Sequence, residues 1–135
     1  MYRKPITYVD FNGETRTEDF YFNLTKSEIM KLELGIVGGL TEHINKCIQT
    51  QNIPGILELF DKIILGAYGE KSADGRRFVK SAEISEAFAQ TGAYDVLFQE
   101  ITSDVDKANE FMEGILPADA VAAAKNQKPA VKANN

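Results

Sequence analysis

Apolar and polar positions divide this chain into segments of different period. The densest is Ile53–Tyr68, written IPGILELFDKIILGAY, in which ten of sixteen residues are apolar. Ile56, Leu57, Phe60, Ile63, Ile64 and Ala67 share one helical face, and Leu59 and Leu65 form a second stripe. Only Glu58, Asp61 and Lys62 are left for solvent. A helix with two apolar stripes is normally covered on several sides, so the pattern predicts a central core helix. Pro54 suits its first turn and Gly69 the position just past its end. The second stripe has two readings: more core, or a strip left open for a partner.

Upstream the period changes to two. Residues 3–11 (RKPITYVDF) and 15–22 (TRTEDFYF) are rich in Thr, Ile, Val, Tyr and Phe. Asn12-Gly13 lies between them, a dipeptide that favours the type I′ turn of a β-hairpin. Polar residues on at least one face exclude a buried central strand. A lone hairpin is marginal in water, so this one must lie on the helices or pair its edge with another chain.

Helical signals fill the remainder. Thr25 and Glu28 form a capping box, with a helix running to Leu34 and Gly35. After Gly38-Gly39, a helix over Leu40–Gln51 carries Leu40, Ile44, Cys47 and Ile48 on one stripe, and Asn52 closes it. Gly69–Lys80 (GEKSADGRRFVK) is polar and turn-rich, with a turn at Asp74-Gly75 and a return anchored by Phe78 and Val79. Ser81 caps a helix to Gln90, with Ile84, Ala87 and Phe88 facing inward, and Thr91-Gly92 breaks it. Ala93–Thr102 uses Tyr94, Leu97, Phe98 and Ile101. Ser103 with Asp106 opens the last helix, whose stripe is Val105, Ala108, Phe111, Met112 and Ile115, and Pro117 ends the ordered body. From Ala118 onward only Val121 and Val131 are large apolar residues, too few to offset the entropy of ordering the segment. The expected fold is therefore mainly α with an N-terminal β-hairpin (α+β). It forms one domain over residues 1–117, with the hairpin at 3–22 and about six short helices packed around the central apolar helix. A flexible Ala/Lys/Asn-rich tail follows at 118–135.

Composition narrows the function classes. The 135-residue chain has a net charge of −5, which divides into −7 for the body and +2 for the tail. An acidic body argues against a general nucleic-acid binder. A single cysteine, Cys47, forms no internal disulfide and fits a cytosolic protein. MYRKPITYVD has no apolar signal core, and no run approaches a membrane span.

No constellation for catalysis is legible. His43 and Cys47 share a helix face four residues apart, but two ligands do not make a metal site, and Cys47 sits on an apolar stripe. The many carboxylates fall between apolar helix positions, where solvated faces are expected. The loop from Gly69 to Arg77 departs from the GxxxxGK[ST] phosphate pattern. It reads instead as a capped turn, or as an interaction loop, since Arg is favoured at interfaces. The expectation is no catalytic residues, no cofactor and no metal.

Four segments, in this order, carry a family resemblance: TEDFYFNLTKSE (Thr17–Glu28), YGEKSADGRRFVKS (Tyr68–Ser81), FAQTGAYDVLFQEI (Phe88–Ile101) and FMEGILPAD (Phe111–Asp119). Together they resemble the short form of the tail assembly chaperones of long-tailed bacteriophages. The likeness spans about residues 5–119 and rests on texture and order, since no catalytic motif defines that family. The resemblance implies a non-enzymatic protein that binds the long helical tape measure protein and keeps it soluble while tail tube subunits polymerise around it. It implies a second partner, the tail tube protein, met through a longer frameshifted product. It implies residence in the host cytoplasm and absence from the mature virion, with homo-oligomerisation left open and neither nucleic acid nor membrane as partner. Expected client contacts are Leu59, Leu65, Tyr68, Arg76, Arg77 and Phe78, if the second stripe opens beside the Arg76-Arg77 loop. The alternative is a structural virion protein, a tail tube or head–tail connector subunit, pairing through its hairpin.

Overall fold

The computed structural model describes residues 1–36 and 38–117; the expected tail at 118–135 lies outside them. Two strands come first, β1 (Tyr2–Val9) and β2 (Thr15–Phe22), followed by α1 (Lys26–Leu34), α2 (Leu40–Gln49) and α3 (Ile53–Ala67). Then come β3 (Tyr68–Lys71), β4 (Phe78–Val79), α4 (Ala82–Ala89), α5 (Gly92–Ser103) and α6 (Val105–Ile115). The fold is α+β, with six helices and an N-terminal antiparallel hairpin among the described residues.

The hairpin forms as expected, but its turn does not. β1 and β2 pair from Tyr2↔Phe22 to Val9↔Thr15. Of Asn12 and Gly13, only Gly13 takes a positive φ, 80°, so the turn is not type I′. The amide of Gly13 instead donates to the carbonyl of Asp10 at 3.0 Å. The Asp10 carboxylate accepts from the amides of Asn12 and Glu14 and from the Arg16 guanidinium. An aspartate that satisfies two loop amides makes a wider connection cheap, and Asn12 needs no strained φ.

The polar stretch 69–80 is not a plain loop. β3 pairs antiparallel with β2 through Tyr21↔Gly69 and Phe22↔Tyr68, and with β4 through Glu70↔Val79 and Lys71↔Phe78. The sheet order is β1-β2-β3-β4. Strands of four and two residues cannot show an alternating pattern; pairing to β2 decides them. Gly69 therefore serves as a strand residue rather than as a helix cap. A Cβ there would lie 2.7 Å from the Phe78 ring and 2.9 Å from the Val79 carbonyl oxygen. The turn expected at Asp74-Gly75 is present, held by the Ser72 hydroxyl and Arg76 amide donating to the Asp74 carboxylate.

The core lies where the inner sheet face meets α3, α4, α5 and α6. Ile6 and Phe22 come from the sheet, Phe88 from α4, Ala93, Leu97 and Ile101 from α5, and Phe111 and Ile115 from α6. Rings dominate its centre: Tyr68 stacks on Phe88 at 4.1 Å, and Phe22 meets Phe111 edge-on at 5.2 Å. From α3 the core receives Leu59, Ile63, Ile64 and Ala67. The N-terminal half of α3 is open, with Ile53 57% exposed, and α1 has no buried residue. The expected capping box of Thr25 and Glu28 is formed. The last helix is capped differently from expectation. Asp104 accepts from the amides of Asp106 and Lys107, while the Ser103 hydroxyl donates backward to the Gln99 carbonyl.

Candidate partner-binding groove

A gap lies between α1 and α3. On α3, Gly55, Glu58, Leu59, Lys62, Ile63 and Gly66 recur at alternating steps of three and one, a single helical stripe. Facing it, Leu24, Glu28, Lys31, Leu32, Gly35 and Ile36 trace the matching stripe along α1 and its flanks. The two stripes enclose adjoining concavities of about 400 and 250 Å³ that share Lys62. From Gly55 to Gly66 the groove runs about 16 Å, at ~1.5 Å per helical residue. That length matches three turns of a helix.

The groove has fixed ends. At one, the Leu24 amide donates to the Ile115 carbonyl at 2.8 Å, which ties the start of α1 to α6. Beside it the Lys80 ammonium donates to the Asn23 carbonyl at 2.6 Å, the Glu28 carboxylate at 2.7 Å and the Gly66 carbonyl at 3.0 Å. Partial burial acts to raise the Glu28 carboxyl pKa. The Lys80 ammonium and the Thr25 amide outweigh it and hold the group below the usual carboxylate range. At the other end α2 packs close to α3. A Cβ on Gly55 would lie 2.5 Å from the Asn52 side chain and 3.1 Å from the Cys47 sulfur. His43 Nε2 lies 3.8 Å from Cys47 Sγ, and Cys47 is buried. Among the described residues no three His, Cys, Asp or Glu side chains gather as a metal site.

Of the six residues expected to meet a partner, Leu59 alone lines the groove, on its floor and 8% exposed. Leu65 is half-buried, and its backbone carbonyl accepts from the Ser85 hydroxyl of α4 at 3.2 Å. Tyr68 belongs to the aromatic stack. Phe78 is half-buried, with the Lys80 ammonium 5.6 Å from its ring centre. Arg76 and Arg77 are exposed in the β3–β4 turn. The sequence reading missed the α1 wall, although Leu24, Lys31, Leu32, Gly35 and Ile36 follow i, i+7, i+8, i+11, i+12 from Leu24. Nothing in one stripe tells that it faces a gap rather than a neighbour.

A second concavity, about 540 Å³, opens where β3 diverges from β2 beyond Tyr21, rimmed by Glu18, Asp19 and Glu70. No described helix is long and apolar enough to cross a membrane.

A small α+β body with a helix-length surface groove belongs to the class of binding modules. A family model described as phage tail assembly chaperone matches residues 1–135, and the chain belongs to that family. Its partners are accordingly phage tail proteins. No curated protein and no solved structure matches the chain.

Proposed function

We propose that this chaperone binds the tape measure protein and keeps it soluble while the tail tube assembles, without catalysing a reaction, and that the α1–α3 groove is where the client lies. The observation that carries this reading is the pair of facing stripes, open along three helical turns and apolar at Leu32, Ile36, Leu59 and Ile63. An apolar groove of that length suits one face of an amphipathic helix, read at i, i+3, i+4 and i+7. Exposed apolar side chains on α1, α2 and α3, namely Met30, Leu34, Ile48 and Ile53, extend the apolar surface available to a long client. The acidic body favours solubility of the complex. The site of action is the host cytoplasm, and the protein is absent from the finished virion. The tail tube protein joins through a longer form of the chain.

Co-expression with tape measure fragments tests the reading. The fragments stay soluble and co-purify with the wild type. They are lost with Leu32→Asp, a half-buried wall position, while the variant keeps its circular dichroism spectrum. Fragments that stay insoluble beside the wild type refute the proposal.

One feature favours a second reading, a structural virion protein pairing through its hairpin. β3 pairs with β2 at Tyr21 and Phe22, so among the described residues Thr15–Phe20 has no strand partner on that side. Mass spectrometry of purified particles separates the two: a structural subunit is present at fixed stoichiometry, and a chaperone is absent.

A further inference from the structure

We propose that the segment held in the α1–α3 groove is an acidic amphipathic helix, its apolar stripe edged by carboxylates that pair with Lys31 on one wall and Lys62 on the floor. This rests on the chaperone reading and specifies which part of a client it selects.

Lys62 stands between Leu59 and Ile63 on the floor stripe and lines both sections of the groove. Lys31 stands beside Leu32 on the opposite wall of the smaller section. Among the described residues neither lysine has an ion-pair partner. The one carboxylate that lines the groove between them and Lys80, Glu28, is already engaged by Lys80 at 2.7 Å. In the free protein both lysines are exposed to solvent. A client that covers the half-buried Leu32 and Ile36 on the wall, seated over the Leu59–Ile63 floor, must also strip water from the lysines beside them. An ammonium left without a partner under that cover opposes binding. A client carboxylate on each edge removes the cost. A neutral or basic helix of equal hydrophobicity leaves it standing.

The groove is also polar along its length. Glu58 lies one turn from Lys62 toward the Gly55 end and has no ion-pair partner among the described residues. The selected helix therefore carries carboxylates over the section nearest Gly66 and tolerates a cation at the section nearest Gly55. Charge placement fixes direction as well as identity.

The probe is a pair of designed three-turn peptides with the same leucine stripe, one edged with Glu and one with Lys. Binding to the full-length protein is read by fluorescence anisotropy at low and at physiological salt. The Glu-edged peptide binds about tenfold tighter, ~1.4 kcal/mol, and the margin shrinks as salt rises. The double variant Lys31→Glu/Lys62→Glu reverses the order; both positions are exposed, so its circular dichroism stays that of the wild type. Equal binding of the two peptides, or an order unchanged in the double variant, overturns the proposal. So does a double variant whose sole effect is on sedimentation of the free protein, which would make the groove a contact between copies. The co-purification of tape measure fragments is scored separately. If fragments co-purify and the peptides are not distinguished, the charge selection fails and the chaperone reading stands. If fragments never co-purify, the chaperone reading itself falls.

Discussion

The ammonium of Lys80 lies 2.7 Å from the carboxylate of Glu28, joining the strand side of the molecule to the first turn of α1 across 52 positions of sequence. The same ammonium holds two carbonyls, Asn23 and Gly66. One side chain thus braces the end of β2, the start of α1 and the end of α3, and it closes one end of the groove. Replacing Lys80 by Met keeps the stem and removes all three bonds. The expected loss is about 1–3 kcal/mol of unfolding free energy, read by urea titration, because a partly buried carbonyl, an exposed carbonyl and a partly buried carboxylate lose their donor together.

The pH dependence of that brace follows from the Glu28 shift. Its carboxyl is held below the usual range in the folded state. The stability it contributes is therefore present above the ordinary carboxylate pKa of about 4.3, and it is lost as pH falls through the lowered folded value. Urea titrations of the wild type should weaken over that acid window. Glu28→Gln should show a shallower loss there and lower stability at neutral pH. A Gln variant with an unchanged acid limb would assign the window to other carboxylates.

Asp104 rather than Ser103 caps α6, and the two are easily separated. Asp104→Ala should cost about 0.5–2 kcal/mol, since two helix-end amides lose their acceptor. Ser103→Ala removes one exposed hydroxyl bond to the Gln99 carbonyl and should cost less. Thermal melts of the two variants give the order, and equal melting points contradict it.

Gly69→Ala should be far more costly than its exposed-loop sequence context suggests. The added methyl would meet both the Phe78 ring and the Val79 carbonyl. Phe78 can turn, but the backbone oxygen of β4 must move with its strand. A loss of roughly 1–3 kcal/mol is expected from overpacking. Hydrogen exchange should show it as faster exchange of the β3 and β4 amides.

Phe11, at the hairpin tip, is 89% exposed and offers the opposite contrast. Phe11→Ser should change stability by less than about 0.5 kcal/mol. It should also leave tape measure co-purification intact if the client lies in the groove. Loss of the client with unchanged stability would move the binding surface to the hairpin.

How much of this was legible in sequence depends on the range of the interaction that decides each feature. The hairpin, the six helices and the capping box at Thr25 and Glu28 are set by alternation, by helical spacing and by side chains bonding amides two or three positions away. All of these are local, and all can be read from residue order. Membership of the chaperone family was legible in the same way, as an order of segments. The β3–β4 pair was not, because strands of four and two residues exist only through their bonds to β2. The Asp10 turn competed with a stronger local signal at Asn12-Gly13 and won through its carboxylate. The site was legible only in part. Leu59 was marked by its stripe, and the stripe could not say whether its neighbour was a helix or open space. α3 was expected at the centre of the core, yet its Ile53 end is open and its Ala67 end is covered. Apolar periodicity fixes which face seeks cover; the tertiary arrangement, in which Lys80 ties the start of α1 to the end of α3 and α2 packs on α3 at Gly55, decides which part of that face receives it.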